Sequence, residues 1–439
     1  MDKIVYIVHC VDSEGPLYES LEATFERLHQ IFGIYLEPTK LNLYKIQNKL
    51  LDLSGKEDDV ADVFSNKRIQ TLGDWNAIDD MLDVILTDEY RNKLQDSFRE
   101  GWVYNWFCLD HAGFHGSNPR RRDAGYHNIF DHYQSKLQEH GCRDKDSVQF
   151  HFHPVPFCGD YNVCATAYVS NNMLFEILAR KIIDRNFFPS CFRPGFHTER
   201  PDSHWFLEQW IPFDFANQSC DSGQGKYQRD VSYGRYGNWQ GAPRDWFPYH
   251  PSHDDYRKIG YCHRWIARCL NMDARMRSLT QNEVERAFCR AEETGVALLS
   301  FTNHDFRDMR LEIENIQEFI RIAANKYPGV KFKYSRATDA MRDVLNLKQE
   351  KIGLQIDIAN ADGMFVLEAK SKCPIFGSQP FFACKTKEGN YYWDNMDFGK
   401  EKQWFYTFDD STFPLECIDT VAVAANNAYG HTEICKLKL

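Results

Sequence analysis

Two acidic residues, Asp12 and Glu14, follow an apolar run near the start of the chain, in the segment HCVDSEGP. The apolar run, Ile4 to Val8, predicts a first strand. Side chains two residues apart on an extended chain point to the same face, so both carboxylates could reach one spot. The segment is also typical of a turn, because Asp and Ser before Gly-Pro are common turn residues. Only the other polar residues of the chain can distinguish a turn from a reactive site.

The segment HFHP places His151 and His153 on the same face of a predicted strand. Two imidazoles and one or two carboxylates form a plausible catalytic site for a divalent metal, with a coordination position left for water. Zinc is the first expectation, and manganese, cobalt and iron remain alternatives. Such a metal would lower the pKa of bound water and polarise a carbonyl oxygen. A carboxylate would take the proton, and a histidine would protonate the leaving group.

Each candidate residue lies at the carboxyl end of a predicted strand. Strand candidates alternate with helical segments up to about residue 345, which predicts a parallel sheet with crossover helices. In a barrel of βα units, the carboxyl ends of the strands meet at one rim, which carries the active site. Thirteen of the 16 histidines lie between His111 and His304. The polar residues assigned to strand ends are Asp12, Glu14, Asp110, His151, His153, Arg193, Asp214 and His304.

The order of these motifs resembles the polysaccharide deacetylase superfamily, the NodB-type carbohydrate esterases, over roughly residues 1–345. VDSEG stands where the family has an aspartate pair or a D-x-E variant at the end of its first strand. HFHP, with one residue between its histidines, takes the place of the H-S/T-x-x-H motif. FRPGF is similar to the R-x-P motif, and SFTNHDF to the last Leu-x-x-His motif. WIPFDFAN resembles the family's next strand with its acid, and PYHPS a substrate-loop phrase of some members.

The resemblance implies a role for each matched residue, and the exchanged assignment of the two acids stays open. The implied metal ligands are Glu14, His151 and His153. The implied catalytic residues are Asp12 as base, Arg193 as the group that orients the acid, and His304 as general acid. The residues predicted to contact the substrate are Asp110, Asp214, Trp246 and Tyr249.

The resemblance also implies a fold, a deformed (β/α) barrel of the polysaccharide-deacetylase type over residues 1–347. From about residue 348 the sequence changes to short strand patterns separated by turn signals, such as EGNYYWDN with its Gly-Asn turn. We therefore expect an α/β barrel followed by a C-terminal all-β, sandwich-like domain over residues 348–439.

Composition limits the partners of the chain. A formal net charge of −11 argues against nonspecific binding to nucleic acid or anionic membranes. No apolar stretch reaches the roughly 20 residues of a membrane span, and no signal-peptide pattern is present. The 14 cysteines include no C-x-x-C pair, which is typical of free thiols in a reducing compartment. We therefore expect a cytoplasmic protein, whose oligomeric state the sequence leaves open.

The leading hypothesis for function is a metal-dependent hydrolase that removes acetyl groups from an N-acetylated sugar or polysaccharide precursor. Metal-bound water would attack the acetamide carbonyl. A second hypothesis is a glycoside hydrolase on the same barrel, which needs two carboxylates about 5–10 Å apart. A third is a catalytically silent carbohydrate-binding protein. The sequence does not identify the sugar, the metal or the role of the C-terminal domain.

Overall fold

The computed structural model describes residues 2–110, 125–154, 156–159, 163–169, 173–220, 229–234, 236–361 and 363–439. His111, at the end of the predicted second strand, and His115, in the loop that follows it, lie outside the described residues. Residues 221–228 also lie outside the described residues; they belong to a stretch over residues 218–260 that is rich in Gly, Tyr and Trp.

Seven parallel strands close into a barrel, and an eighth pairs with the first. The strands are β1 (Lys3–Ser13), β2 (Tyr104–Leu109), β3 (Ser147–Phe152), β4 (Cys191–Pro194), β5 (Phe213–Asn217), β6 (Trp265–Asn271), β7 (Val296–His304) and β8 (Val330–Tyr334). Strand β1 closes the barrel, because it pairs with β7 along most of its length, with β8 near its start and with β2 near its end. The predicted barrel of parallel strands with helices is confirmed, and its assignment to the polysaccharide-deacetylase type stays a prediction. Strand β6, for which no sequence pattern was identified, completes it.

Helices connect the strands and surround the barrel. They are α1 (Leu21–Phe32), α2 (Lys40–Gln47), α3 (Glu57–Val63), α4 (Asn66–Ile69), α5 (Trp75–Ile85), α6 (Asp88–Arg91), α7 (Asn128–Glu139), α8 (Met173–Arg185), α9 (Pro201–Trp210), α10 (Gln281–Thr294), α11 (Arg310–Lys326) and α12 (Ala337–Leu345). Among the described residues, none of these helices combines the length and apolar character that crossing a membrane requires.

The connection between β1 and β2 is a helical insertion that carries α1 to α6. Helix α1 begins where the Ser20 hydroxyl accepts the N–H of Ala23, and it ends at Gly33 in the left-handed region, with φ +74°. Its apolar face packs with α2 and α3 in a small separate core that includes Leu28, Ile46 and Phe64. The insertion thus has its own core and forms a wall beside the barrel mouth.

The C-terminal region consists of two four-stranded antiparallel sheets, in the orders β13-β14-β10-β9 and β12-β11-β15-β16. The strands are β9 (Gln355–Ala361), β10 (Met364–Lys370), β11 (Phe381–Thr386), β12 (Tyr391–Asp394), β13 (Asp397–Phe398), β14 (Gln403–Phe408), β15 (Ile418–Asn426) and β16 (Thr432–Lys438). Side chains of both sheets share one apolar core, which includes Leu367, Phe382 and Val421. The prediction of an all-β C-terminal region is confirmed.

The second of these sheets also packs on the barrel. Phe381 and Ala422, on its other face, share an apolar core with Ile182 of α8. The buried Asn426 amide donates to the carbonyl oxygens of Pro189 and Trp210, at 2.7 and 2.8 Å. These contacts lie beside the start of β4, away from the strand ends that carry the polar residues.

Candidate metal centre

A cavity of about 570 Å³ lies over the carboxyl ends of the barrel strands. Its lining includes residues from the ends of β1, β3 and β7 and from the helical insertion. Of the predicted site residues, those that line it are Asp12, Glu14, His151, His153 and His304. The structure thus brings together side chains that are far apart in the sequence.

Glu14, His151 and His153 form a group of potential metal ligands. The two Nε2 atoms are 2.9 Å apart, and Glu14 Oε1 lies 3.4 Å from that of His151 and 3.3 Å from that of His153. All three ligand atoms lie within 4.8 Å of one another. Two imidazole nitrogens and a carboxylate oxygen suit a catalytic zinc site, which keeps a further position for water.

A hydrogen bond to the neighbouring strand orients the first histidine of the HFH motif. The Nδ1–H of His151 donates to the carbonyl oxygen of Arg193 on β4 at 3.0 Å, which leaves Nε2 free to act as a ligand. His153 lies just past the end of β3, against Gly195. A methyl group at Gly195 would overlap the His153 ring, so the absence of a side chain at Gly195 leaves room for this imidazole.

The turn after β1 is held by Asp305, a residue with no role in the sequence prediction. Its carboxylate accepts the backbone N–H groups of Glu14 at 2.8 Å and Gly15 at 3.0 Å, and the Tyr133 hydroxyl at 2.8 Å. Gly15 has φ +70°, and a Cβ atom there would meet the Trp75 ring at 3.2 Å. Burial raises the pKa of Asp305 to about 6. Asp305 therefore positions the backbone of Glu14, and its only sequence signal is its place after His304.

Asp12 forms a buried bidentate ion pair with Arg193. The guanidinium Nε and Nη2 donate to its two oxygens at 2.6 and 2.9 Å, and Nη1 donates to the carbonyl of Phe215 at 2.6 Å. The side chains are only 1% and 0% exposed. Burial by itself raises the pKa of Asp12, but Arg193 and His151 hold it below its usual range. The two acids thus differ, since Glu14 joins the ligand group and Asp12 pairs with an arginine.

His304, the last residue of β7, lies beside the two acids and lines the cavity. Its Nε2 is 3.9 Å from Asp12 Oδ2 and 3.7 Å from Glu14 Oε1, and its side chain is 30% exposed. Burial lowers its pKa to about 4, although the two acids raise it. The structure thus has a partly exposed histidine beside the two acids, and its role as general acid stays a prediction.

His197 also lines the cavity, although no sequence motif pointed to it. Its Nδ1 accepts a hydrogen bond from Arg193 Nη2 at 3.2 Å, and burial followed by the charge of Arg193 lowers its pKa well below the usual value. Phe196 and His197 both have left-handed backbone, with φ +53° and +50°. Such strain in successive non-glycine residues is typical of functional sites.

Two predicted substrate contacts, Asp110 and Asp214, are fully buried and do not line the cavity. Asp110 directly follows β2, and Lys181 Nζ lies 2.9 Å from its Oδ2. The expected strand-end position of Asp214 is wrong, because it is the second residue of β5. Its Oδ2 lies 3.6 Å from Arg264 Nε, and burial together with Glu199 raises its pKa well above the usual value. Both acids occupy buried polar clusters.

The predicted aromatic contacts, Trp246 and Tyr249, also lie outside the cavity lining. Trp246 belongs to the barrel core, where the Arg268 guanidinium lies 4.3 Å from its ring centre. The Tyr249 hydroxyl donates to the carbonyl of Tyr256 at 2.7 Å. Both rings pack the loop before β6 against the barrel. Among the described residues, the Phe, Tyr and Trp side chains that line the cavity are Phe196, Tyr236 and Phe306.

Comparison with known proteins adds no assignment, since no protein-family model matches the chain and no curated protein is similar to it. The chemistry therefore has to be inferred from the geometry. The described residues combine three potential metal ligands, an acid held by an arginine and a partly exposed histidine in one open cavity. This combination suits hydrolysis assisted by a divalent cation.

Proposed function

We propose that the protein is a metal-dependent hydrolase that removes acetyl groups from an N-acetylated sugar or polysaccharide precursor. The observation that carries the proposal is the group Glu14, His151 and His153 beside the Asp12–Arg193 pair. The resemblance of the motifs to carbohydrate deacetylases favours an acetamide as the bond that is cleaved. Zinc is the expected metal, because the ligand set is two imidazoles and one carboxylate.

The protein's own groups have separate tasks in this reaction. A divalent cation at the ligand group would supply a Lewis acid that activates water and polarises the acetamide carbonyl. Asp12, which Arg193 keeps ionised and oriented, is placed to accept the proton of the attacking water. His304, whose Nε2 lies 3.9 Å from Asp12 Oδ2, would protonate the departing nitrogen with a proton taken up during the reaction, since burial lowers its pKa to about 4. Asp305 holds the backbone of Glu14 in position throughout.

The size and lining of the cavity support a sugar-like substrate. A volume of about 570 Å³ falls within the range typical of small-molecule sites, about 300–1,000 Å³. Phe196, Tyr236 and Phe306 offer aromatic faces, on which the apolar faces of sugar rings can pack.

The glycoside hydrolase hypothesis has less support. It requires a second free carboxylate across the substrate from Asp12 or Glu14. Asp110 and Asp214, which would supply it, are buried outside the cavity lining. The remaining acid of the described lining, Asp230, pairs with Arg275.

The proposal is tested by metal content and by acetate release. We expect wild-type protein to contain about one zinc ion per chain, as measured by inductively coupled plasma mass spectrometry. The His151→Ala/His153→Ala variant should lose the ion. His263→Ala, which removes an exposed histidine outside the cavity lining, should keep it. Wild type should release acetate from N-acetylated sugars, and a chelator should stop this reversibly. No bound metal after supplementation, or chelator-resistant release, would contradict the proposal.

A further inference from the structure

The cavity wall away from the metal ligands is rich in arginine. Among its described lining residues are Arg27, Arg229, Arg275 and Arg307, against one acid, Asp230, besides the two site carboxylates. This local excess of positive charge contrasts with the formal net charge of −11 for the whole chain. A concave surface with an excess of one charge attracts ligands of the opposite sign.

Two of these arginines have a carboxylate partner. Arg27 donates to Glu19 at 2.8 Å, and Arg275 pairs with Asp230. Arg307 is different: within the described part of the chain, no carboxylate lies within ion-pair distance of its guanidinium. Its Nε is buried and has no hydrogen-bond partner. A charged donor in this state gains strongly from a bound anion.

The position of Arg307 links it to the candidate metal centre. It lies three residues after His304 in the turn before α11, and its backbone N–H donates to the His304 carbonyl. It lines the main cavity and an adjoining one of about 150 Å³, and His304 lines both. Glu312, the acid with the largest charge effect on Arg307, accepts a hydrogen bond from Asn303. Burial raises the pKa of Glu312 to about 7, so it is a weak counter-ion.

We propose that Arg307 binds an anionic group, a carboxylate or a phosphate, carried by the sugar whose acetamide lies at the metal centre. The inference deepens the proposed function and rests on it for the identity of that sugar. A planar guanidinium can donate two parallel hydrogen bonds to either anion. A uronic acid and a sugar phosphate are therefore the two sources of the same ligand chemistry.

Matched ligands test this proposal by calorimetric titration of the metal-loaded protein. The probes are N-acetylglucosamine, its 1-phosphate and the corresponding N-acetylated uronic acid. We expect at least one anionic probe to bind about tenfold more tightly than the neutral sugar, as a charge-assisted bidentate contact predicts. The tighter of the two anions identifies the source. Arg307→Gln should reduce this preference to less than about threefold. Arg310→Gln, at the first residue of α11, exposed and paired with Asp308, should leave it unchanged.

Equal affinity for neutral and anionic sugars, binding of none of the probes, or a preference that survives in Arg307→Gln would overturn the proposal. Arg307→Lys is the second variant if the glutamine variant does not fold; it should retain part of the preference, and a full preference would count against a bidentate contact. Acetate release is assayed separately. Release without any preference for anions would refute the role of Arg307 alone. A preference for anions without release would refute the deacetylase and leave the anion site standing.

Discussion

The buried ion pair between Arg193 and Asp12 allows a quantitative test of how the site is built. Arg193→Met keeps an apolar stem of similar length but removes both hydrogen bonds to Asp12 and the one to the Phe215 carbonyl. Because both side chains are almost completely buried, Asp12 would keep a carboxylate without its main counter-ion. Removing one partner of such a pair costs about 3–5 kcal/mol, and we expect the free energy of unfolding to fall by roughly that amount.

Urea unfolding of the metal-free protein at pH 7, followed by tryptophan fluorescence, measures this loss. The folded-state pKa of Asp12 is below its usual value, so its stabilisation is complete at pH 7 and is lost only as the pH falls through the folded-state pKa. Arg310→Met, at an exposed ion pair, should change stability by no more than about 0.5 kcal/mol. The double variant Asp12→Asn/Arg193→Met removes the orphaned charge and should be more stable than Arg193→Met alone.

Two results would refute this reasoning about the pair. One is a loss below about 1 kcal/mol in Arg193→Met, which would place the ion pair among weak surface pairs. The other is a double variant that is less stable than the single variant, because the unpaired carboxylate would then not be the source of the loss.

Three further predictions concern the site and the barrel. Glu14→Gln should weaken zinc binding about 100-fold and Asp12→Asn about tenfold, as measured by competition with a chelator. The reverse order would mean that Asp12 is the metal ligand and Glu14 the base. Gly195→Ala should weaken zinc binding at least about tenfold in a folded protein, because the new methyl group displaces His153; unchanged affinity would refute the contact. Burial lowers the pKa of His9 to about 4, so wild type should lose stability as the pH falls from about 6.5 towards 4. Over this pH range the free energy of unfolding of His9→Gln should fall by roughly 3 kcal/mol less than that of wild type, as measured by urea unfolding at each pH. Parallel plots of this free energy against pH for the two proteins would contradict the lowered pKa of His9.

The residues at the strand ends were predictable from the sequence because the barrel geometry is simple. Parallel strands joined by helices bring their last residues to one rim, so the sequence alone predicted that Asp12, Glu14 and His304 lie together. The alternation in HFH likewise predicted that His151 and His153 share a face. The structure places all five around one cavity.

Other parts of the site depend on contacts that the sequence does not show. Asp305 acts through the backbone of Glu14, about 290 residues away in the chain, which follows only from the pairing of β1 with β7. The aromatic content could not separate rings that pack a core, such as Trp246 and Tyr249, from rings that line a cavity, because both uses favour the same residue types.

The central position of β1 has a consequence for the synthesis of the protein. The side chains of His9 on β1 and Asn303 on β7 form a hydrogen bond, although the two residues are 294 positions apart in the chain. At the usual speed of translation, β1 leaves the ribosome roughly 15 to 60 s before this partner exists. For that time its apolar side chains have no barrel to pack into, and Glu14 lacks the carboxylate that positions it. Exposed apolar surface of this kind makes a nascent chain prone to aggregation. A metal at the proposed centre would be acquired only once β7 has been made, because Glu14 is not positioned before then.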